Sequence, residues 1–320
     1  MKILVAPLVV ALSLSTQVLA QSFPDRPVKL VVPSSAGSGP DVLARTVGNK
    51  LSERWGQPVV IENKPGASTI IGNDFVAKAA PDGYTLSVTP HSVAITPALY
   101  KSIPYDPLKD LVPVSNVAVA SMVLVVNPSF PATTLAEYVS QVKAQPGKLS
   151  YGSAGVGSAP HITAALFQKS AGAPMTHVPY RGLAGAMNDI LGGRLDFVFS
   201  SIPSLGGTVA DGKVRVLAAA GAKRIKLYPN LPSMAELGRP EVDVDLWFGI
   251  VAPLGTDPAI VRTLNAMFVK AANDPELTER FAQLGVEIAT GSPADFKKTL
   301  ESDNARLGPF IKELTAAKPN

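Results

Sequence analysis

A strand, a small-residue loop and a helix follow one another in the segment that decides the fold: residues 28–56 are VKLVVPSSAGSGPDVLARTVGNKLSERWG. Residues 28–32 form an almost continuous apolar run that Pro33 ends, which is typical of a buried strand. Across residues 41–55, apolar side chains recur at helical spacing, and Gly56 closes the pattern. A strand that passes through a short loop into a helix is typical of an α/β unit.

The same alternation of strand and helix patterns continues along the chain and predicts α/β lobes with largely parallel sheets. The middle third is a self-contained α/β unit, with two connections near residues 122–127 and 244–250. We therefore predict lobe 1 from residues 21–124 and 248–320, lobe 2 from residues 125–247, and a two-strand hinge between them. Because pockets favour domain interfaces and the carboxyl ends of parallel strands, we expect a ligand in the cleft between the lobes.

The first twenty residues are typical of a secretory signal peptide. Lys2 precedes an apolar run over residues 3–14, and Val18-Leu19-Ala20 offers small residues for cleavage. The run is too short to span a membrane, which requires about 20 apolar residues. We therefore predict that residues 1–20 are removed and that the remainder is exported to the periplasm as a soluble protein.

Charge and cysteine content exclude several classes of protein. The 29 Lys and Arg residues exceed the 25 Asp and Glu residues, giving a formal net charge of +4, and the basic residues are scattered. This distribution gives no support to nucleic-acid binding, although a mild positive field would favour an anionic ligand. The chain has no cysteine, which rules out disulfides and thiolate metal sites.

Two loops between a strand and a helix, one in each predicted lobe, carry most of the candidate binding residues. Both are rich in glycine and serine, and both lead into a helix N-terminus, where free N–H groups and the helix dipole favour an anion. Two such loops could hold the two ends of a dicarboxylate without a fixed positive charge. The candidate ligand contacts are Ser34, Ser35, Gly37, Ser38, Gly39 and Asp41 in the first loop, and Ser153, Ala154, Gly155 and Ser158 in the second. Of these, Asp41 is better placed to fix the loop than to touch a ligand.

Further candidates lie at the ends of other predicted strands. Arg181 could grip a carboxylate with two hydrogen bonds if its strand end faces the cleft, although an isolated arginine is as often a surface charge. The hydroxyl groups of Ser200 and Ser201 could add contacts. The remaining candidate ligand contacts are His91, Ser92, His161, Pro179 and Tyr180.

Motifs for catalysis or for a cofactor are incomplete. Residues 155–160 begin like a dinucleotide fingerprint but lack its third glycine, and residues 207–214 resemble a phosphate-binding loop but precede a strand. The three histidines lack metal-ligand spacing, and there is no Gly-x-Ser-x-Gly elbow. We predict a protein without a cofactor or metal that is not an enzyme. A hydrolase that uses His161 with a loop serine is a less favoured alternative.

Seven stretches of the chain occur in the order found in a known family. They are residues 23–33, 36–41, 56–66, 80–86, 146–155, 178–182 and 247–249. Together they resemble the Bug/TctC family, the extracytoplasmic receptors of tripartite tricarboxylate transporters. This resemblance implies a type II periplasmic binding protein, whose two lobes close on the ligand like a Venus flytrap. It also implies a small carboxylate as ligand and the integral membrane subunits of such a transporter as partners.

The sequence departs from the family pattern at three positions that bear on the ligand. Ser35 and Ser38 replace a proline and a glycine that are frequent in the first loop. Ser200 stands where the family often has an aspartate that meets a ligand amine. We therefore expect an amine-free mono- or dicarboxylate, aromatic acids included. Separately, we expect the protein to act as a monomer. An alternative is a sensory input to a membrane sensor kinase, which would use the same closed form.

Overall fold

A computed structural model describes residues 23–180, 182–283 and 285–316, so the predicted signal peptide, residues 1–20, lies outside the described residues. Within them, the chain forms eleven strands and ten α-helices, most of which alternate. The strands are β1 (Val28–Val32), β2 (Val59–Asn63), β3 (Thr85–Pro90), β4 (Leu111–Ala120), β5 (Met122–Val126), β6 (Ser150–Ser153), β7 (Thr176–Pro179), β8 (Phe197–Ser201), β9 (Arg215–Ala219), β10 (Leu246–Pro253) and β11 (Val286–Ile288). The helices are α1 (Gly39–Trp55), α2 (Ile70–Ala77), α3 (Ser92–Leu99), α4 (Leu135–Ala144), α5 (Ala159–Ala171), α6 (Leu183–Leu191), α7 (Ile202–Leu205), α8 (Pro258–Ala272), α9 (Pro275–Gln283) and α10 (Pro293–Ala316).

The strands form two mixed sheets. The six-stranded sheet has the order β11-β4-β10-β3-β1-β2, and the five-stranded sheet has the order β7-β6-β8-β5-β9. In the first sheet β1 is parallel to β2 and β3, and in the second β6 is parallel to β7 and β8. The pairs made by β10, β11 and β5 are antiparallel. The expectation of largely parallel sheets was therefore too simple, because the strands that carry the chain between the sheets run against their neighbours.

The chain crosses between the sheets twice along its strands. Strand β4 leads through Ser121 directly into β5, and the chain returns from β9 through residues 220–245 to β10. These crossings lie where the sequence predicted the two-strand hinge.

Each sheet has its own core, and α10 contributes to both cores. Phe296 and Leu300, in the first half of α10, are buried in a cluster with Trp247 of β10. Leu307 and Ile311, in its second half, are buried in the main core of the five-stranded sheet. The lobe boundaries stay a prediction. They assign the last turns of α10 to lobe 1, although these turns pack against the core of lobe 2.

Local signals explain several details of this framework. Helix α4 begins with a capping box in which Thr134 Oγ1 accepts the N–H of Glu137, and the Glu137 carboxylate accepts the N–H of Thr134. In β10, Gly249 lies against the Phe296 ring, since a Cβ added there would stand 2.6 Å from Phe296 Cε1.

Among the described helices, none is both long and apolar enough to cross a membrane.

Candidate functional site

A cavity of about 1560 Å³ lies between the two sheets. Loops and helix starts from the six-stranded sheet form one wall, and those from the five-stranded sheet form the other. None of the lining residues in the described parts of the chain is Asp, Glu, Lys or Arg. The polar side chains that line the cavity carry hydroxyl groups, the imidazole of His91 and the amide of Asn188. Among the described residues, an anion in this cavity would therefore meet dipoles and no charged side chain.

Four helices, α1, α3, α5 and α6, have their first residue on the cavity wall. The first N–H groups of a helix have no partner within the helix, and together with the helix dipole they favour an anion. At α5 the N-cap side chain of Ser158 accepts one of these groups, from His161. At the other three helices the N-cap residue makes no such side-chain bond. The cavity wall therefore carries N–H groups that the helices themselves leave unused.

The first loop, residues 33–38, is fixed by Asp41 in the first turn of α1. The Asp41 carboxylate is buried and accepts hydrogen bonds from the N–H of Gly37 (2.8 Å), from Arg45 Nε (3.0 Å) and from Asn63 Nδ2 (2.9 Å). Burial acts to raise the pKa of Asp41, but these donors outweigh it, Arg45 foremost, and the pKa lies below its usual value. Asp41 therefore stays ionised and holds the loop in place.

The second loop, residues 154–158, is fixed by three side chains behind it. His161 Nδ1 accepts the N–H of Gly157 at 3.0 Å. Ser153 Oγ accepts the N–H of Gly155 at 3.1 Å and lies 2.7 Å from His177 Nε2. The rings of His161 and His177 are stacked, with centroids 4.0 Å apart. The loop is thus tied to two imidazoles from different elements, α5 and β7.

The structure brings most of the predicted loop residues to the cavity wall. The candidates that line it are Ser34, Ser35, Gly37, Ser38, Gly39, His91, Ser92, Ala154, Ser158 and Ser201. The described candidates that do not line it are Asp41, Ser153, Gly155, His161, Pro179, Tyr180 and Ser200. Arg181 lies outside the described residues, so its role stays a prediction.

Several candidates away from the wall make contacts within their own lobe. Ser200 is fully buried in β8 and donates to the carbonyl oxygen of Ser201. The hydroxyl of Tyr180 donates to the Asp189 carboxylate, and its backbone N–H donates to the Ser153 carbonyl. Their hydrogen-bonding groups are therefore engaged behind the wall.

His91, like Thr69, is a lining residue whose side chain has unused hydrogen-bonding capacity. His91 is 3% exposed, and neither ring nitrogen has a partner among the described residues. Burial lowers the pKa of His91 to about 4, against a smaller opposite effect of Asp303. The imidazole is therefore neutral near pH 7, with one donor nitrogen and one acceptor nitrogen.

Sequence reasoning missed two features of the wall. Two pairs of serine hydroxyls, Ser34 with Ser38 and Ser201 with Ser204, are each 2.9 Å apart, one pair in each wall. The second feature is an apolar part of the wall, formed by Met122, Leu246, Phe248, Phe281 and Val286. Phe248 lies in the Trp-Phe-Gly stretch that carries part of the family resemblance. The sequence does not show that the Phe248 ring faces the cavity.

The fold and the site define a class of protein: a two-lobed solute-binding protein, with its site between two α/β sheets at the starts of helices from both. The chain belongs to the TctC family, described as "Tripartite tricarboxylate transporter family receptor", whose profile matches residues 43–316. It is 36% identical over 305 residues to protein BugT of Bordetella pertussis, covering 95% of this chain and 94% of BugT.

Two solved structures with bound acids are similar to the whole described fold. The R. palustris protein Rpa4515, solved with adipate, is 34% identical with a TM-score of 0.83, covering 92% of this chain and 98% of its own. MatC from Rhodopseudomonas palustris, solved with bound malate, is 29% identical with a TM-score of 0.79, covering 90% of this chain and 100% of its own. These findings confirm the predicted family and fold. Because the family is one of receptors, they also confirm that the chain is a binding protein and not an enzyme.

Proposed function

We propose that this protein binds a small carboxylate in the cavity between its lobes. The observation that carries the proposal is the convergence of four helix starts on a cavity that has no charged lining residue among those described. Each partly buried helix start contributes up to about 2 kcal/mol to binding an anion. Micromolar affinity corresponds to about 8 kcal/mol, so several helix starts together with apolar burial would be sufficient. The adipate and malate complexes of the two relatives support a carboxylate over other anions.

The ligand we propose is amine-free and has an apolar body. A ligand ammonium group would lose its hydration in the cavity without meeting a carboxylate among the described lining residues, which is unfavourable. The sequence argument for this class rested on Ser200, which is buried away from the wall. The absence of acidic side chains from the described part of the wall supports it instead. The apolar part of the wall around Phe248 and Phe281 suits the methylene chain of a dicarboxylate or an aromatic ring.

Binding would bring the two lobes together. The cavity exceeds the range of about 300–1,000 Å³ that is usual for small-ligand sites, which supports an approach of the walls around a small acid. The two strand crossings beside Ser121 and before β10 are the positions where a few backbone dihedrals could absorb that movement.

We further propose that the exported protein presents its ligand in the periplasm to the integral membrane subunits of a tripartite tricarboxylate transporter. The family description and the predicted signal peptide support this role. We propose that the protein acts as a monomer and has no nucleic-acid partner.

A thermal-shift screen followed by titration calorimetry tests the binding proposal. The panel contains adipate, malate, succinate, benzoate, aspartate, glutamate and the neutral diamide of adipate. We expect adipate to raise the melting temperature and its diamide to have no effect, because a ligand that binds only the folded state stabilises it. Tighter binding of aspartate or glutamate than of any amine-free acid would refute the proposed ligand class. No shift with any acid would refute carboxylate binding.

A pair of variants locates the site. Ser34→Asp places a carboxylate on the cavity wall beside the start of α1 and should weaken adipate binding more than tenfold by charge repulsion. Ser140→Asp adds the same charge at an exposed position on α4 and should leave the dissociation constant unchanged. Equal effects of the two changes would place the ligand elsewhere.

A further inference from the structure

The two binding loops end in the same five-residue turn, which we call the helix-entry turn: Gly37-Ser38-Gly39-Pro40-Asp41 in one lobe and Gly157-Ser158-Ala159-Pro160-His161 in the other. In both turns the first glycine has a left-handed φ, 78° and 79°. The serine is the helix N-cap with an extended backbone, and the proline lies in the first helical turn. The side chain of the fifth residue accepts the N–H of the first glycine, at 2.8 Å in the first lobe and 3.0 Å in the second.

The backbone hydrogen bonds around the two helix-entry turns also correspond. The N–H of Ser38 donates to the Ser35 carbonyl and that of Ser158 to the Gly155 carbonyl, each at 3.2 Å. In each turn the serine carbonyl then accepts the N–H four residues later, at 2.9 and 3.0 Å. The two lobes therefore present the same local structure to the cavity, although their sheets differ in strand number.

A residue from the neighbouring parallel strand supports the fifth residue in each turn. Asn63, at the end of β2, donates to the Asp41 carboxylate at 2.9 Å. His177, on β7, stacks on His161 and lies 2.7 Å from Ser153 Oγ. The strands β2 and β7 are parallel neighbours of β1 and β6, the strands that lead into the two loops.

The two fifth residues differ in charge. Asp41 accepts the glycine N–H as a carboxylate, whose charge Arg45 partly offsets. His161 accepts it through Nδ1, which a histidine can do only when that nitrogen carries no proton. An acceptor is therefore common to both turns, while the negative charge is not.

We propose that Asp41 and His161 are equivalent positioning residues, one for each end of the ligand. Each takes up the N–H of a flexible glycine and so fixes the turn before the ligand arrives, with the remaining N–H groups of the helix start directed to the cavity. Ordering a loop in advance removes that cost from binding. This role rests on the proposed function, because it assigns the two turns to the two ends of a bound carboxylate.

Three substitutions of His161 separate the acceptor from the packing of the ring. Asn places Oδ1 close to the position of Nδ1, Gln places its amide one bond further out, and Leu has no acceptor. We measure amide hydrogen exchange across residues 153–161 without ligand, and the dissociation constant for adipate by calorimetry. We expect His161→Asn to keep slow exchange at Gly157 and to bind adipate within threefold of the unchanged protein. His161→Leu and His161→Gln should exchange faster and bind about two- to tenfold more weakly, the range given by one lost hydrogen bond.

The matched pair in the other lobe is Asp41→Asn and Asp41→Leu. Asn retains an acceptor for the Gly37 N–H but loses the oxygen that accepts Asn63 Nδ2, whereas Leu removes both acceptors. Leu should therefore increase exchange at Gly37 and weaken adipate binding more than Asn does.

The outcomes separate this proposal from the binding proposal. Equal behaviour of His161→Asn and His161→Gln, or normal exchange at Gly157 in His161→Leu, would overturn the positioning role. If His161→Leu does not fold, the comparison of Asn with Gln decides. If adipate does not bind the unchanged protein, the proposed ligand fails, while the exchange measurements still decide whether His161 positions the loop.

Discussion

Replacing Gly157 with alanine should destabilise the protein more than the same change at Gly37, although the two glycines have nearly the same backbone conformation. Both have φ close to +78°, where an alanine side chain is strained, and both occupy the first position of a helix-entry turn. Their surroundings differ. A Cβ at Gly37 meets nothing within 4 Å, whereas a Cβ at Gly157 would overlap the Leu99 side chain and stand 2.7 Å from Leu99 Cδ1.

The magnitudes follow from these two contributions. The left-handed backbone costs about 1–2 kcal/mol for alanine. Crowding in a packed contact adds about 1–3 kcal/mol. We therefore expect a loss of about 1–2 kcal/mol in the free energy of unfolding for Gly37→Ala and about 2–5 kcal/mol for Gly157→Ala.

Urea unfolding of the two variants, and of each combined with Leu99→Ala, measures both contributions. Shortening Leu99 should recover the crowding contribution of Gly157→Ala, giving a coupling of about 1–3 kcal/mol, and should show no coupling to Gly37→Ala. Equal losses for Gly37→Ala and Gly157→Ala, or no coupling between Gly157 and Leu99, would refute the argument. The second outcome would mean that Leu99, at the end of α3, does not rest on the loop of the other lobe.

Three further predictions concern stability. Asp245 lies just before β10, and although the residue is exposed, partial removal of its carboxyl from water and then neighbouring carboxylates raise its pKa from 3.8 to about 6. Because the folded state then holds the proton more tightly, stability is lost as pH rises from about 4 through about 6, so Asp245→Asn should raise the melting temperature at pH 7 but not at pH 4. Gly249→Ala should cost about 1–3 kcal/mol through crowding of Phe296, with partial recovery on Phe296→Leu, measured by urea unfolding. Thr134→Ala should cost about 1 kcal/mol by removing the α4 cap and leave adipate affinity unchanged in calorimetry.

The parts of the fold that depend on neighbouring residues could be predicted from the sequence. The segment at residues 28–56 forms β1 and α1, with Gly56 in the left-handed conformation at the helix end, because apolar spacing and end signals act locally. The antiparallel pairing of β10 between β3 and β4 could not be predicted in this way. It joins residues more than a hundred positions apart, and no local pattern specifies which distant strands become neighbours.

The candidate site shows the same division. Small residues in two loops indicated the parts of the wall where backbone groups reach the cavity, and Ser34 and Ser158 lie there. The sequence does not show the direction of each side chain, so it could not indicate that Ser153 and His161 accept hydrogen bonds from the second loop. The repeated spacing of glycine, serine, proline and an acceptor was present in the sequence, but its meaning depends on the matching hydrogen bonds.

The late positions of β10 and α10 also affect how the chain folds. Strand β10 lies in the middle of the six-stranded sheet, and the last turns of α10 complete the core of the five-stranded sheet. Neither lobe can close its core before the C-terminal part of the chain has been synthesised. Contacts between residues so far apart in sequence form slowly, because a long loop must close before they give any stability. Slow folding would keep the new chain unfolded for longer. An unfolded chain is suited to the transport across a membrane that the first twenty residues predict.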